Sequence, residues 1–187
     1  YEDALALYVR AAAMAHIQVI GIDCHIGSQI TVLTPFIDAL KRLRALIEKI
    51  EGKGISLRHV DVGGGLGINY RDETPPAAAE YVSAVRDIFS GKDYELIVEP
   101  GRSIVGNAGV LLTRVEFVKK TPHGNFGIVD AAMNDILRPS LYDAWHDIVP
   151  LTEQSAGAGS DTFDIVGPVC ETGDFLGRDR KLPLTAG

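Results

Sequence analysis

Three short segments of the chain hold residues whose types and spacing could do chemistry together. They occupy positions 24–29, 61–67 and 98–103, and read Cys-His-Ile-Gly-Ser-Gln, Asp-Val-Gly-Gly-Gly-Leu-Gly and Val-Glu-Pro-Gly-Arg-Ser. Glycine backbone leaves N–H groups unobstructed for a phosphate. The Glu99 carboxylate suits a protonated ring nitrogen, and the Arg102 guanidinium suits a substrate carboxylate. With His25, which could stack on a planar ligand or transfer protons, these groups predict a pocket for an anionic ligand that contains a ring.

The elements that position these segments follow a repeating strand-helix pattern. His25 and Gly63 are 38 positions apart, and Gly63 and Glu99 are 36 positions apart. Hydrophobic periodicity predicts strands at 18–22, 59–62 and 94–98, which alternate with helices at 2–15, 34–51 and 76–89. Each segment follows the carboxyl end of a strand, which is where barrel enzymes keep their chemistry. Three such units are too few to close a barrel of eight strands, so we expect further units upstream of Tyr1.

The pattern changes after Ser103. Shorter apolar runs predict strands at 110–118, 126–130, 147–151 and 163–166, the first of them with the partial alternation of an antiparallel strand. The small, polar stretch 152–160 favours a hairpin loop or a mobile excursion. We therefore expect two domains, at residues 1–108 and 109–187.

Two later motifs add candidate site residues. Arg138 and Tyr142 are four positions apart, so one helical turn or a compact loop would place a guanidinium and a phenol on one face. Cys170 and Glu171 place a thiol and a carboxylate after a predicted strand.

Structural alternatives to these roles stay open at this point. The glycines could form a tight turn, Glu99 and Arg102 could form an internal ion pair, and a buried free cysteine usually only packs.

Composition limits the class of protein. The 187 residues are 46% hydrophobic and 23% charged, with a formal net charge of −7, which argues against nucleic acid as the main partner. No apolar run approaches the roughly 20 residues of a membrane-spanning helix. Two distant cysteines do not form a disulfide framework, so a reducing cytoplasm is the expected location.

Taken in order, the motifs resemble the diaminopimelate decarboxylase family, whose members are pyridoxal-phosphate enzymes built from a barrel and a β-domain. The resemblance spans nearly the whole chain. It implies an α/β fold, with the C-terminal sector of a PLP-binding (β/α)8 barrel followed by part of a mainly antiparallel β-domain. Ornithine decarboxylases typically have an aspartate where this chain has Glu171, and alanine racemases share the architecture without this set of motifs.

The resemblance also implies roles for single residues toward pyridoxal 5'-phosphate. Glu99 would pair with the ring nitrogen, and His25 would stack on the ring and take part in catalysis. The phosphate would be held by Ser28 and by the backbone at Gly64, Gly65, Gly101 and Arg102. No metal is implied.

For the substrate, meso-2,6-diaminopimelate, the resemblance implies a carboxylate site made by Arg102, Arg138 and Tyr142. Cys170 would act near the departing carboxylate and Glu171 near the distal amine, and both would be lent across a homodimer interface. The implied reaction yields L-lysine and CO2.

One expected part is missing from the chain. These enzymes hold the cofactor as a Schiff base on a lysine, and none of the seven lysines here lies at a predicted strand tip beside the glycines. In the family that lysine lies on an early barrel strand, so we expect the chain to be a piece of a longer protein and to be inactive alone. An ornithine- or arginine-type decarboxylase and a non-catalytic relative of the same fold remain the alternatives.

Overall fold

The computed structural model describes residues 1–151 and 161–185, which form two compact units. The first contains Tyr1–Asn69 and Glu73–Gly109. The second contains Tyr70–Asp72 and the described part of Val110–Gly187. The predicted loop at 152–160 lies outside the described residues.

The first unit alternates strands and helices, as the sequence predicts. Its elements are α1 (Ala4–Ala12), β1 (Gly21–Asp23), α2 (Thr34–Glu51), β2 (His59–Asp61), α3 (Ala78–Ile88), β3 (Glu95–Ile97) and α4 (Arg102–Val105). The strands form a parallel sheet in the order β1-β2-β3. Parallel strands joined by helices are the expected outcome of this pattern, because each chain return needs a crossover.

The register of this sheet places the three strand ends level with one another. Gly21 pairs with His59 and His59 with Glu95 at the start of the strands, and Asp23 pairs with Asp61 near their end. The ladder continues beyond the strands, since the Glu99 backbone N–H donates to the Gly63 carbonyl at 2.9 Å. The loops that carry the predicted site residues therefore leave the sheet at one edge.

The long helix α2 anchors the core of the first unit. The apolar stripe predicted from its periodicity is 5% exposed or less, at Phe36, Leu40, Leu43, Ile47 and Ile50. These side chains pack with Val60 of β2 in one hydrophobic cluster. Burying each large side chain contributes about 1.5–3 kcal/mol, so the stripe fixes α2 against the sheet.

The second unit is a four-stranded sheet with one short helix. Its described elements are β4 (Val115–Thr121), β5 (Gly124–Val129), α5 (Arg138–Tyr142), β6 (Asp161–Val166) and β7 (Phe175–Leu182). The order is β4-β5-β6-β7, in which the first and last pairs are antiparallel and the central pair is parallel. The predicted strand at 147–151 is wrong, because the structure assigns no strand to these residues.

A helix that spans a bilayer must be both long and apolar. Within residues 1–151 and 161–185, no helix meets both requirements for spanning a membrane.

Candidate functional site

The carboxyl ends of β1, β2 and β3 bring three carboxylates together. Oxygen atoms of Asp23, Asp61 and Glu99 all lie within 4.8 Å of one another, with Asp61 half-buried and the other two exposed. Ionised carboxylates at this spacing repel one another, and a cation among them offsets the repulsion. This edge of the sheet would therefore attract a positively charged group, either a metal ion or a protonated nitrogen of a ligand.

His25 lies in the loop after β1 and is held by the glycine loop after β2. The Gly64 backbone N–H donates to His25 Nδ1 at 3.2 Å. Because Nδ1 accepts this bond, any proton on the neutral ring lies on Nε2. The Asp61 carboxylate fixes the start of the same loop by accepting a bond from the Gly63 N–H at 2.9 Å.

The glycine loop is so closely packed that two of its positions exclude a side chain. A Cβ at Gly64 would lie 2.1 Å from the Glu99 carbonyl oxygen. Gly65 has a φ of +106° and lies against Gly27, whose carbonyl oxygen would be 2.3 Å from an added Cβ. The absence of side chains thus lets the three strand-tip loops approach one another at backbone distance.

Ser28 and Gly101 lie in the same group of loops. Ser28 follows Gly27 and is exposed. Gly101 is exposed as well, and a Cβ added there would meet nothing within 4 Å among the described atoms. Both positions are therefore accessible to a ligand at this edge of the sheet.

Gln29 connects the loop after β1 with the two other loops. Its side-chain amide makes two hydrogen bonds to the backbone of Ile68, with Nε2 donating to the carbonyl oxygen at 2.6 Å and Oε1 accepting from the N–H at 3.1 Å. Arg102 Nη1 donates to the same Oε1 at 3.3 Å. Gln29 therefore holds both the backbone of one loop and the guanidinium of another.

In the second unit, Arg138 and Tyr142 lie on the five-residue helix α5. The Arg138 guanidinium carbon is 5.6 Å from the ring centroid of Tyr70 and 5.9 Å from that of Tyr142. These distances are within the range of cation–π attraction. The aromatic rings orient the guanidinium, and the Tyr142 side chain remains 69% exposed.

Cys170 and Glu171 lie in an exposed loop between β6 and β7. The Glu171 carboxylate accepts hydrogen bonds from Thr172 Oγ1 at 3.0 Å and from the Gly173 N–H at 3.3 Å. Both bonds favour the charged form and lower the pKa of Glu171, the Thr172 hydroxyl more than the Gly173 N–H. This loop therefore presents a thiol next to a carboxylate that stays ionised.

Asp174 fixes this loop from inside the unit. Its carboxylate is buried and accepts hydrogen bonds from the N–H groups of Met133 and Val169, each at 2.7 Å. The Ser140 hydroxyl, on α5, also donates to the Gly173 carbonyl. The loop with Cys170 and the helix with Arg138 are thus tied together within the second unit.

The structure brings the predicted residues together within each unit. No role was predicted from the sequence for Asp23, Asp61, Gln29 or Asp174. A signal existed for the two aspartates, because Asp23, Asp61 and Glu99 are evenly spaced by 38 residues at three strand ends. No comparable signal marks Gln29, whose backbone partner is 39 positions away.

Comparisons with known proteins address the fold and the family. The family model described as "pyridoxal-dependent decarboxylase, pyridoxal binding domain" matches residues 1–106. The diaminopimelate decarboxylases of Pseudomonas aeruginosa and Vibrio cholerae are each 56% identical to this chain over 186 and 188 residues, which is all of the chain and 44% and 45% of the relatives. The chain thus spans less than half the length of these relatives.

A solved structure of the same family is also similar to this chain. The diaminopimelate decarboxylase of Helicobacter pylori, complexed with L-lysine, is similar with a TM-score of 0.91 and 38% identity over 99% of this chain and 45% of that one. This similarity confirms the predicted fold class, an α/β barrel sector followed by part of a mainly antiparallel β-domain.

Proposed function

The chain belongs to the family of pyridoxal-dependent decarboxylases, and we propose that it is part of a longer enzyme that converts meso-2,6-diaminopimelate to L-lysine and CO2. The observation that carries the proposal is the convergence of His25, Gly64 and Glu99 at one edge of the parallel sheet. The names of relatives that are 56% identical to the chain support the choice of substrate.

The residues at this edge fit pyridoxal phosphate, which carries a phosphate at one end and a basic ring nitrogen at the other. The donor set of Asp23, Asp61 and Glu99 suits a protonated nitrogen, because a positive charge is attracted to three carboxylates whose oxygen atoms lie within 4.8 Å of one another. Glycine backbone without Cβ atoms suits a phosphate. We assign the phosphate to Ser28 and to the backbone at Gly64, Gly65, Gly101 and Arg102.

In this assignment, Glu99 holds the proton on the ring nitrogen. Pyridoxal phosphate, when bound, supplies an electron-poor ring that accepts the electron pair left by loss of CO2. The Glu99 carboxylate keeps the nitrogen positively charged, which strengthens that acceptance. His25 would contact the ring, and the bond from the Gly64 N–H to Nδ1 holds the imidazole in its orientation.

We assign binding of the distal carboxylate and the distal amine of the substrate to four side chains. Arg102, Arg138 and Tyr142 would bind the distal carboxylate, and Glu171 the distal amine. The lowered pKa of Glu171 keeps its carboxylate charged toward an ammonium group. Binding at this remote end aims the scissile bond, so that the energy of recognition serves the chemical step. Cys170 would lie beside the departing carboxylate.

We further propose a homodimer in which Cys170 and Glu171 serve the partner's site. Both residues are exposed in the single chain, which leaves them accessible to a second protomer. Residues 1–108 would belong to the cofactor-binding barrel and residues 109–187 to the β-domain. Both cysteines are free thiols, which fits the reducing cytoplasm that we propose as the location.

Substrate choice tests this proposal against its alternatives. We expect the full-length protein, purified with pyridoxal phosphate, to release CO2 from meso-diaminopimelate and to form lysine, with L-ornithine and L-arginine as poor substrates. A preference for ornithine or arginine would instead support a basic amino acid decarboxylase, against which the Arg138 guanidinium argues. Absence of CO2 release from all three compounds would support a non-catalytic relative.

A further inference from the structure

The side chain of Gln29 extends the pairing between two strand-tip loops. The backbone of Ile30 forms a parallel bridge with Leu66, through a bond from the Ile30 N–H to the Gly65 carbonyl at 2.9 Å and one from the Gly67 N–H to the Ile30 carbonyl at 3.0 Å. The Gln29 amide then bonds both the N–H and the carbonyl of Ile68. A side chain thus takes the place of backbone at the next position of the ladder.

These two bonds also fix which way the amide points. Ile68 offers one donor and one acceptor, so Nε2 of Gln29 must face the carbonyl and Oε1 must face the N–H. An inverted amide would place two donors together and two acceptors together. The second lone pair of Oε1 is therefore held in one direction, and Arg102 Nη1 donates to it at 3.3 Å.

The backbone of Gln29 indicates that its side chain is retained for these contacts. Its φ is +58°, in the left-handed region that glycine adopts without strain and that a glutamine adopts at a cost. A non-glycine residue persists in this region when the surrounding structure overdetermines it, and such positions cluster at functional sites.

We propose that Gln29 is a positioning residue that aims the Arg102 guanidinium at the carboxylate of the substrate. The inference rests on the proposed function, which assigns Arg102 to the distal carboxylate, and it adds Gln29 as a residue that directs this guanidinium. Gln29 touches neither the cofactor nor the substrate in this account, so its effect passes through Arg102.

The role of Gln29 can be tested by measuring the binding of two ligands that differ by one carboxylate. L-lysine has a carboxylate that Arg102 could bind, and cadaverine is the same molecule without it. Dissociation constants are measured by calorimetry on the full-length, cofactor-loaded protein. We expect Gln29→Met to weaken binding of L-lysine by about tenfold, the size of one hydrogen bond to a charged group, and to leave cadaverine binding unchanged. Equal weakening of both ligands would overturn the proposal.

Two further variants separate aiming from folding. Gln29→Gly removes the side chain and suits the φ of +58°, so it should fold and should show the same loss for L-lysine. Asn125→Leu is the matched control, since it removes one side-chain amide bond, to the Thr162 carbonyl at 3.1 Å, in the second unit. We expect it to leave both dissociation constants unchanged.

A double-mutant cycle shows whether the effect passes through Arg102. In an Arg102→Met background, Gln29→Met should cause no additional loss of L-lysine binding, because the group it aims is gone. Losses that add independently would overturn the proposal. The proposed function could fail separately. In that case the wild-type protein would bind L-lysine through Arg102 but release no CO2 from diaminopimelate. The double-mutant cycle would then still decide the role of Gln29.

Discussion

Glu99 is one of three carboxylates that share a space of 4.8 Å, and it is the one that we assign to the cofactor's ring nitrogen. We predict that Glu99→Gln in the full-length enzyme lowers kcat on the order of 10²-fold, the size typical of losing one preorganised electrostatic group. The physical reason is that an amide does not hold a proton on the nitrogen as a carboxylate does. Steady-state CO2 release measures this loss.

The strand that precedes Glu99, β3, offers a control. Glu95 is an exposed carboxylate at the opposite end of β3, where it lies 3.6 Å from His59 Nδ1. Glu95→Gln should leave kcat unchanged. A similar loss in both variants would mean that the effect belongs to the charge of the strand and not to the site.

Gly64 tests the close approach of the loops. An alanine there would place Cβ 2.1 Å from the Glu99 carbonyl oxygen, so the backbone must move. We predict that Gly64→Ala destabilises the protein by about 1–3 kcal/mol, as overpacking does, and weakens cofactor binding. Gly109→Ala, where an added Cβ meets nothing within 4 Å, is the control in denaturant unfolding and cofactor titration. Unchanged cofactor affinity in Gly64→Ala would contradict the assignment.

Single residues were predictable from the sequence only where a local pattern marks them. Glu99 follows an apolar run and precedes a glycine and an arginine, so its place at a strand tip could be inferred. Gln29 could not be assigned a role, because its function depends on a backbone 39 positions away and on the direction of one lone pair.

At the scale of elements, a small polar cluster joins the end of α2 to the start of β3. The Glu51 carboxylate accepts hydrogen bonds from the Tyr94 hydroxyl at 2.7 Å and from Lys92 Nζ at 2.9 Å. These bonds, that from Tyr94 first, lower the pKa of Glu51 below its ordinary value of 4.5. A carboxylate with a lowered folded-state pKa stabilises the protein above its ordinary pKa, and this contribution is lost as the pH falls through the folded-state value.

The lowered pKa of Glu51 determines how the effect of Glu51→Gln on the free energy of unfolding depends on pH. We expect the variant to have a lower free energy of unfolding than the wild type near neutral pH, and the difference to shrink as the pH falls below the ordinary value of 4.5. Denaturant unfolding from about pH 7 to about pH 3 measures it. Glu48→Gln is the control, because its exposed pair with Arg44 contributes only about 0–1 kcal/mol. A difference that grows in acid would contradict the account.

The elements of the first unit were predictable because hydrophobic periodicity is local, whereas their limits depend on partners. The sequence predicts a strand at 18–22, but β1 is Gly21–Asp23, because its hydrogen bonds are made to β2. The predicted strand at 147–151 is wrong. It contains Pro150, which cannot donate to a ladder.

The strand β7 was missed for a related reason. Four charged residues, Arg178 to Lys181, interrupt its apolar pattern. The structure buries Arg180, with its guanidinium carbon 3.1 Å from the centroid of the Trp145 ring, and pairs the strand with β6. These stabilising contacts come from residues distant in the sequence, so no local pattern predicts the strand.

At the scale of the whole molecule, the chain lacks a lysine where the cofactor would be held. Its seven lysines are Lys41, Lys49, Lys53, Lys92, Lys119, Lys120 and Lys181, and none lies in the loops that follow β1, β2 or β3. We therefore predict that the isolated 187-residue chain forms no lysine from diaminopimelate, whereas the full-length protein does. Mass spectrometry of the products measures this, and lysine formation by the isolated chain would contradict it.

The most direct measurement is a crystal structure of the full-length protein with pyridoxal phosphate bound. We expect a Glu99 carboxylate oxygen at hydrogen-bonding distance from the ring nitrogen, about 2.6–3.2 Å. We also expect the phosphate to lie against the backbone of Gly64 and Gly65. A cofactor bound elsewhere, or a Glu99 side chain directed away from the ring, would contradict the assignment of Glu99 to the ring nitrogen.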